Sequence, residues 1–183
     1  MKNQYLALLR GINVGGNNII KMADLKKSFE DMGFSDVATF IQSGNVIFSD
    51  SSKNTDSLTE KIEKALSKRF NYKSCVVLIS HETLKKAVKL APKDFGKYPD
   101  KYKYDVVFLK KPLTSANAMK EIKLKEGVDA AYAGKDVVYL SRLTAKASSS
   151  YINKIAMLLI YKQMTIRNWN STTKLLALMD KRT

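Results

Sequence analysis

Apolar positions along the chain fall into two alternating patterns. YLALL, VATFIQ, VIFS and CVVLIS are short apolar runs of strand length. Between them, MADLKKSFEDMG places Met22, Leu25, Phe29 and Met32 on one helical face and is stopped by Gly33, while TDSLTEKIEKALSKRF does the same with Leu58, Ile62, Leu66 and Phe70. The SGN triplet joins the second and third strands as a tight hairpin signal. This order, β-α-β-β-α-β, predicts a split β-α-β, or ferredoxin-like, unit. SHETLKKAVKLA then adds a short helix capped by Ser80.

The stretch PKDFGKYPDKY, with two prolines and a glycine, reads as a linker. After it the order restarts. YDVVFLK is a strand, TSANAMKEI a short helix with Met119 and Ile122 inward, and VDAAY and VVYLS are strands around the turn AGKD. SYINKIAMLLIYKQ reads as a strongly apolar helix, MTIR as a last strand and STTKLLALM as a closing helix. The prediction is an α+β protein of two ferredoxin-like units in tandem: residues 1–91 with a connecting helix, a linker over 92–102, and residues 103–183 with a C-terminal helix. One continuous α+β domain whose order only resembles a repeat is the competing arrangement. In the tandem arrangement each half has one polar sheet edge, and packing the halves end to edge would bring the two edges to one cleft.

Charge changes the picture more than bulk composition does. The 183 residues are 45% hydrophobic, ordinary for a globular protein, but 32 Lys and Arg against 17 Asp and Glu leave a formal +15. Through Ala91 there are 14 basic and 9 acidic residues; after it, 18 and 8. Such an excess attracts polyanions. Because most of it is scattered lysine, a lysine-rich genome composition explains it equally well. One cysteine, Cys75, precludes an intramolecular disulfide and sits among apolar neighbours as a core residue. With one histidine, His81, and no dense acid cluster, neither a metal site nor a cofactor is implied. The apolar stretch before Arg10 is too short for a signal peptide, and no run approaches the roughly eighteen residues of a membrane span. These features predict a cytoplasmic chain without a membrane partner.

Three stretches concentrate groups suited to ligands. RGINVGGNN follows the first strand with Arg10, Asn13, Gly15, Gly16, Asn17 and Asn18, and Lys21 comes just after. Glycine amides approach a ligand closely, and concave runs of N–H groups hold anions. The spacing matches neither the GxxxxGK[ST] nor the GxGxxG phosphate motif, and a purely conformational role for these residues stands beside the ligand role. Ser43, Gly44 and Asn45 form the hairpin; no base lies near Ser43, so a turn role outweighs a nucleophilic one. In RNWNSTTK, Arg167 ends a strand beside a helix start, where a guanidinium suits an anion. Asn168 and Asn170 flank Trp169, for which packing is favoured over stacking a base beside Arg167, and Asn170 or Ser171 reads as the helix cap. TAKASSS, Thr144 to Ser150, is small, hydroxyl-rich and carries Lys146; a loop ending in a serine cap is the favoured reading and a mobile phosphate-gripping loop the alternative.

Taken together, LLRGINVGGNN-IIKM, GF-x₅-FIQSGNVIF and TIRNWNS-x₂-KLL resemble the bacterial family of uncharacterised proteins catalogued as domain of unknown function 1697. The resemblance extends over the whole chain and is densest in Leu8 to Met22, Ile41 to Phe48 and Arg167 to Leu176. Ser171 stands where the family commonly has threonine, which keeps the hydroxyl. The resemblance implies a pair of ferredoxin-like units and brings no established activity.

The leading functional expectation is a cleft that binds an anionic ligand, a nucleic acid or nucleotide, lined by Arg10, Asn13, Gly15, Gly16, Asn17, Lys21, Ser43, Asn45, Arg167, Asn168 and Asn170. An enzyme acting on a phosphorylated or nucleotide substrate, with Arg10 and Arg167 as phosphate clamps, is the alternative, although no general base accompanies them. A protein-interaction adaptor is the third. Base stacking on the sheet face is disfavoured, because VIFSD lacks the spaced aromatics it needs.

Overall fold

The computed structural model describes residues 2–13, 15–16 and 18–182. Contacts divide the chain into two compact units, Met1–Leu84 with Leu178–Thr183, and Lys85–Ala177. Each is mixed α+β around one four-stranded antiparallel sheet.

In the first unit β1 (Asn3–Leu9), α1 (Met22–Asp31), β2 (Ser35–Phe40), β3 (Asn45–Asp50), α2 (Thr55–Phe70) and β4 (Val76–Ser80) follow in order. The sheet runs β2-β3-β1-β4. Tyr5, Ala7 and Leu9 of β1 face Leu25 and Phe29 of α1 and Leu58, Ile62 and Leu66 of α2 in one core. The intervening Leu6 and Leu8, paired with Ile47 and Val77, are buried on the other face. With both faces buried, β1 is apolar throughout, as YLALL implied. The α2 boundaries match their sequence pattern because Asn54 Oδ1 accepts from the Asp56 and Ser57 N–H groups at one end and Asn71 turns left-handed at the other. The second strand differs: Ile41 and Gln42, expected to extend it, lie in the turn, with Ile41 at φ 46°. Ser80 Oγ accepts from the Thr83 N–H and starts α3 (His81–Lys89).

The second unit contains β5 (Tyr102–Leu109), α4 (Ser115–Glu121), β6 (Asp129–Ala133), β7 (Val137–Leu143), β8 (Met164–Asn168) and α5 (Trp169–Asp180), whose last turn belongs to the first unit. Its sheet runs β6-β7-β5-β8, the same arrangement as the first. Val107, Leu109, Val138, Leu140 and Met164 form one core face. Phe95 packs edge-on against Tyr104, Tyr139 and Trp169, with the Trp169 ring 5.1 Å away. Trp169 is therefore a packing residue.

One expected element is corrected. SYINKIAMLLIYKQ is not a continuous α-helix but two three-ten segments, Tyr151–Met157 and Leu159–Gln163, and a third, Thr144–Ser149, precedes them. Leu158 adopts extended angles (φ −72°, ψ 141°) and breaks the run. The apolar residues circle the segment instead of forming a stripe, so a helix would have no single face to bury. Met157 and Leu159 are 81% and 90% exposed.

Candidate functional site

At the end of β1 the chain enters the loop 10–21, and the β2–β3 turn comes back beside it. The Leu9 N–H donates to the Gly44 carbonyl (2.8 Å), and the Arg10 N–H donates to that of Cys75 (2.9 Å). Gly44 is at φ 71°, and a Cβ there would lie 2.8 Å from both Leu9 Cβ and Ile12 Cδ1. A side chain has no room there, which accounts for glycine at the centre of SGN.

Asn13 holds loop and turn together. Its Nδ2 donates to the carbonyls of Ile20 (2.9 Å) and Gln42 (3.0 Å), and its Oδ1 accepts from the Ile20 N–H (2.8 Å). Its own N–H donates to the Asn18 carbonyl, and Asn18 Nδ2 returns a bond to the Gly11 carbonyl. Asn13 and Asn18 are both left-handed, a conformation asparagine tolerates better than other side chains. Asn45 is fully buried and donates to the Phe40 carbonyl and to Ser43 Oγ. The amides of Asn13, Asn18 and Asn45 thus build the loop and the turn, and Ile12 and Ile20 anchor the loop in the core.

The groups turned toward solvent are others. Gly15 and Gly16 are exposed at φ 59° and 77°, with open space where a Gly16 side chain would be. Lys21 is exposed and precedes α1 in extended conformation, and its side chain makes no capping bond. Arg10 is half-buried at the loop's start. Asn17 lies outside the described residues.

Of the expected residues, the fold brings Arg10, Asn13, Ser43 and Asn45 together at one end of the first sheet. Arg167, Asn168 and Asn170 belong to the second unit. The Arg167 side chain is buried, on the Val106 side of β8, and its Nη1 donates to Thr165 Oγ1 (2.8 Å) and the Ile166 carbonyl (2.9 Å). Burial lowers its pKa to about 10, which leaves it charged at neutral pH. The cap of α5 is Asn168, not Asn170 or Ser171: Asn168 Oδ1 accepts from the Asn170 N–H, while its Nδ2 donates to the Tyr104 carbonyl. The helix starts earlier than expected because its first turn includes Trp169, whose ring is held by Phe95.

Sequence reading missed the roles of Gly11 and Gln42, since both act through their carbonyls. His81, at the start of α3, has its Nε2 2.7 Å from Asp180 Oδ1 at the end of α5. Cys75 is half-buried rather than enclosed. Among the described residues, no cluster of His, Cys, Asp and Glu is positioned to hold a metal ion, and no helix is long and apolar enough to cross a membrane.

Two four-stranded antiparallel sheets with covering helices, and a loop of glycine and asparagine closing onto a hairpin turn, define an α+β architecture. The chain belongs to the family described as Protein of unknown function (DUF1697), whose model matches residues 2–139. Among solved structures it is similar to the conserved bacterial protein SP0830 from Streptococcus pneumoniae, with a TM-score of 0.85 and 24% identity over 97% of this chain and 98% of that one. That likeness is one of fold. An unknown protein from Galdieria sulphuraria aligns at a TM-score of 0.29 and 9% identity, over 92% of this chain and 98% of that one. No curated protein matches the chain.

Proposed function

We propose that the first unit binds an anionic ligand, a nucleic acid or nucleotide phosphate, where the loop 10–21 meets the start of α1. The observation that carries this reading is the helix start itself: Lys21 leaves the first turn without a side-chain cap. The first N–H groups of a helix have no intrahelical acceptor and together carry partial positive charge, so they favour an anion. Exposed Gly15 and Gly16 allow a phosphate close to the backbone, and Lys21 and Arg10 add full charges. Asn13, Ser43 and Asn45 act in this site as its frame.

The ligand is met by this loop and not by the sheet. Leu6, Leu8, Ile47 and Val77 bury the sheet face on which a single-stranded base would stack. The formal +15 makes a polyanion the favoured class. We also read both units as ferredoxin-like, related by duplication, which their shared strand order supports.

A thermal-shift screen of inorganic phosphate, nucleotides and single-stranded oligonucleotides tests the reading. A stabilising hit should be lost in Lys21→Glu while that variant melts like the wild type. Hits that survive Lys21→Glu unchanged would place the ligand elsewhere, and a screen without hits would remove the reading.

A further inference from the structure

The second unit contains a cleft of about 430 Å³. Ile122, at the end of α4, and Ile152, Ile155 and Leu158 from the three-ten run supply its apolar wall. Lys123 and Lys154 also line it, both exposed, and no carboxylate is among its lining side chains. Neither lysine takes part in an ion pair among the described residues. Tyr151 gathers positive charge at the same place: Lys154 Nζ lies 5.2 Å from its ring centroid and Lys125 Nζ 6.0 Å.

The three-ten backbone is what keeps this cleft open. A continuous helix of the same residues would turn them evenly around its axis. The extended angles at Ser150 and Leu158 instead set the segment's direction, leaving Ile152 and Ile155 in the core and Met157 at the cleft, largely exposed. Three-ten runs of this length are uncommon. An apolar hollow near the lower end of the size range of small-ligand sites, with ammonium groups at its mouth and no acid in its lining, has a defined complement.

We propose that this cleft binds a small amphiphilic anion, with its hydrocarbon body against Ile122, Ile155 and Leu158 and its anionic head at Lys123 and Lys154. The site is independent of the phosphate site proposed for the first unit and is tested separately. Calorimetric titration of the full chain with decanoate, decan-1-ol and decylamine, all below micellar concentration, separates the contributions of body and head. Decanoate should bind saturably at one site, with the alcohol and the amine each weaker by about tenfold or more. Lys123→Glu/Lys154→Glu should weaken decanoate by at least about tenfold. The same charge change at Lys53→Glu/Lys73→Glu, in the first unit, should leave it unaltered, and so control for the protein's overall charge. Both pairs are exposed, so their melting temperatures should stay with the wild type's. Equal binding of the three head groups, equal losses in the two double variants, or no saturable decanoate binding would each overturn the proposal.

Discussion

Asn13 and Gly44 show how much of the loop depends on single residues. Asn13→Ala removes both Nδ2 bonds and the Oδ1 acceptor that join loop to turn, leaving the Ile20 N–H and the Gln42 carbonyl without their partner. A loss of about 1–3 kcal/mol in denaturant unfolding is expected, the cost of stranding partly buried polar groups. If stability is unchanged, Asn13 does not frame the loop. Gly44→Ala and Gly16→Ala separate crowding from backbone strain. Both positions have positive φ, but only the Gly44 Cβ would strike Leu9 and Ile12. Gly16→Ala should cost about 1 kcal/mol, from backbone conformation alone, and Gly44→Ala roughly 1–3 kcal/mol more, from overpacking. Equal losses would contradict the geometry. The types of these residues were legible in RGINVGG and SGN, but their partners were not. Gln42 is 29 residues from Asn13, and only the hairpin's return beside β1 brings them together.

At the scale of elements, Asp129 ties β6 to the three-ten run. Its carboxylate accepts from Ser150 Oγ and from the Lys125 and Tyr151 N–H groups. Burial acts to raise its pKa, but these hydrogen bonds outweigh it and hold the carboxyl below the usual range. A depressed folded-state pKa means that Asp129 contributes stability above its unfolded-state value and loses it as pH falls through the lower, folded-state one. Asp129→Asn should therefore destabilise the protein at neutral pH, and the gap from wild type should close in strong acid. Unfolding curves across that range check it; a gap independent of pH would contradict the carboxylate's role. Helices with one apolar face, α1 and α2, were readable from period alone. The segment 151–163 was not, because its apolar residues lack a single face and its path is set by Asp129, Ser150 and the Arg142–Asn153 hydrogen bond.

For the whole molecule, the element order came through in the sequence because each strand and most helices have their own turn or cap signal, as Asn54, Ser80 and Thr114 illustrate. Of the candidate site, the residue types were legible but not their roles: the amide-rich side chains of Asn13, Asn18 and Asn45 form the framework of loop and turn, and the exposed groups beside them are Gly15, Gly16 and Lys21. The buried Arg167 guanidinium supports the end of β8, so Arg167→Ala should lower the melting temperature. Arg10→Ala, at a half-buried loop position, should weaken anion binding by about 1–3 kcal/mol, the scale of a charge-assisted hydrogen bond. The most direct measurement is a fluorescence-anisotropy titration of a single-stranded oligonucleotide against wild type and Arg10→Ala/Lys21→Ala, across a series of salt concentrations. Binding at the start of α1 predicts affinity that falls steeply with salt in the wild type, and a double variant that binds more weakly with a shallower salt slope. Affinity and slope identical in the two proteins would contradict it.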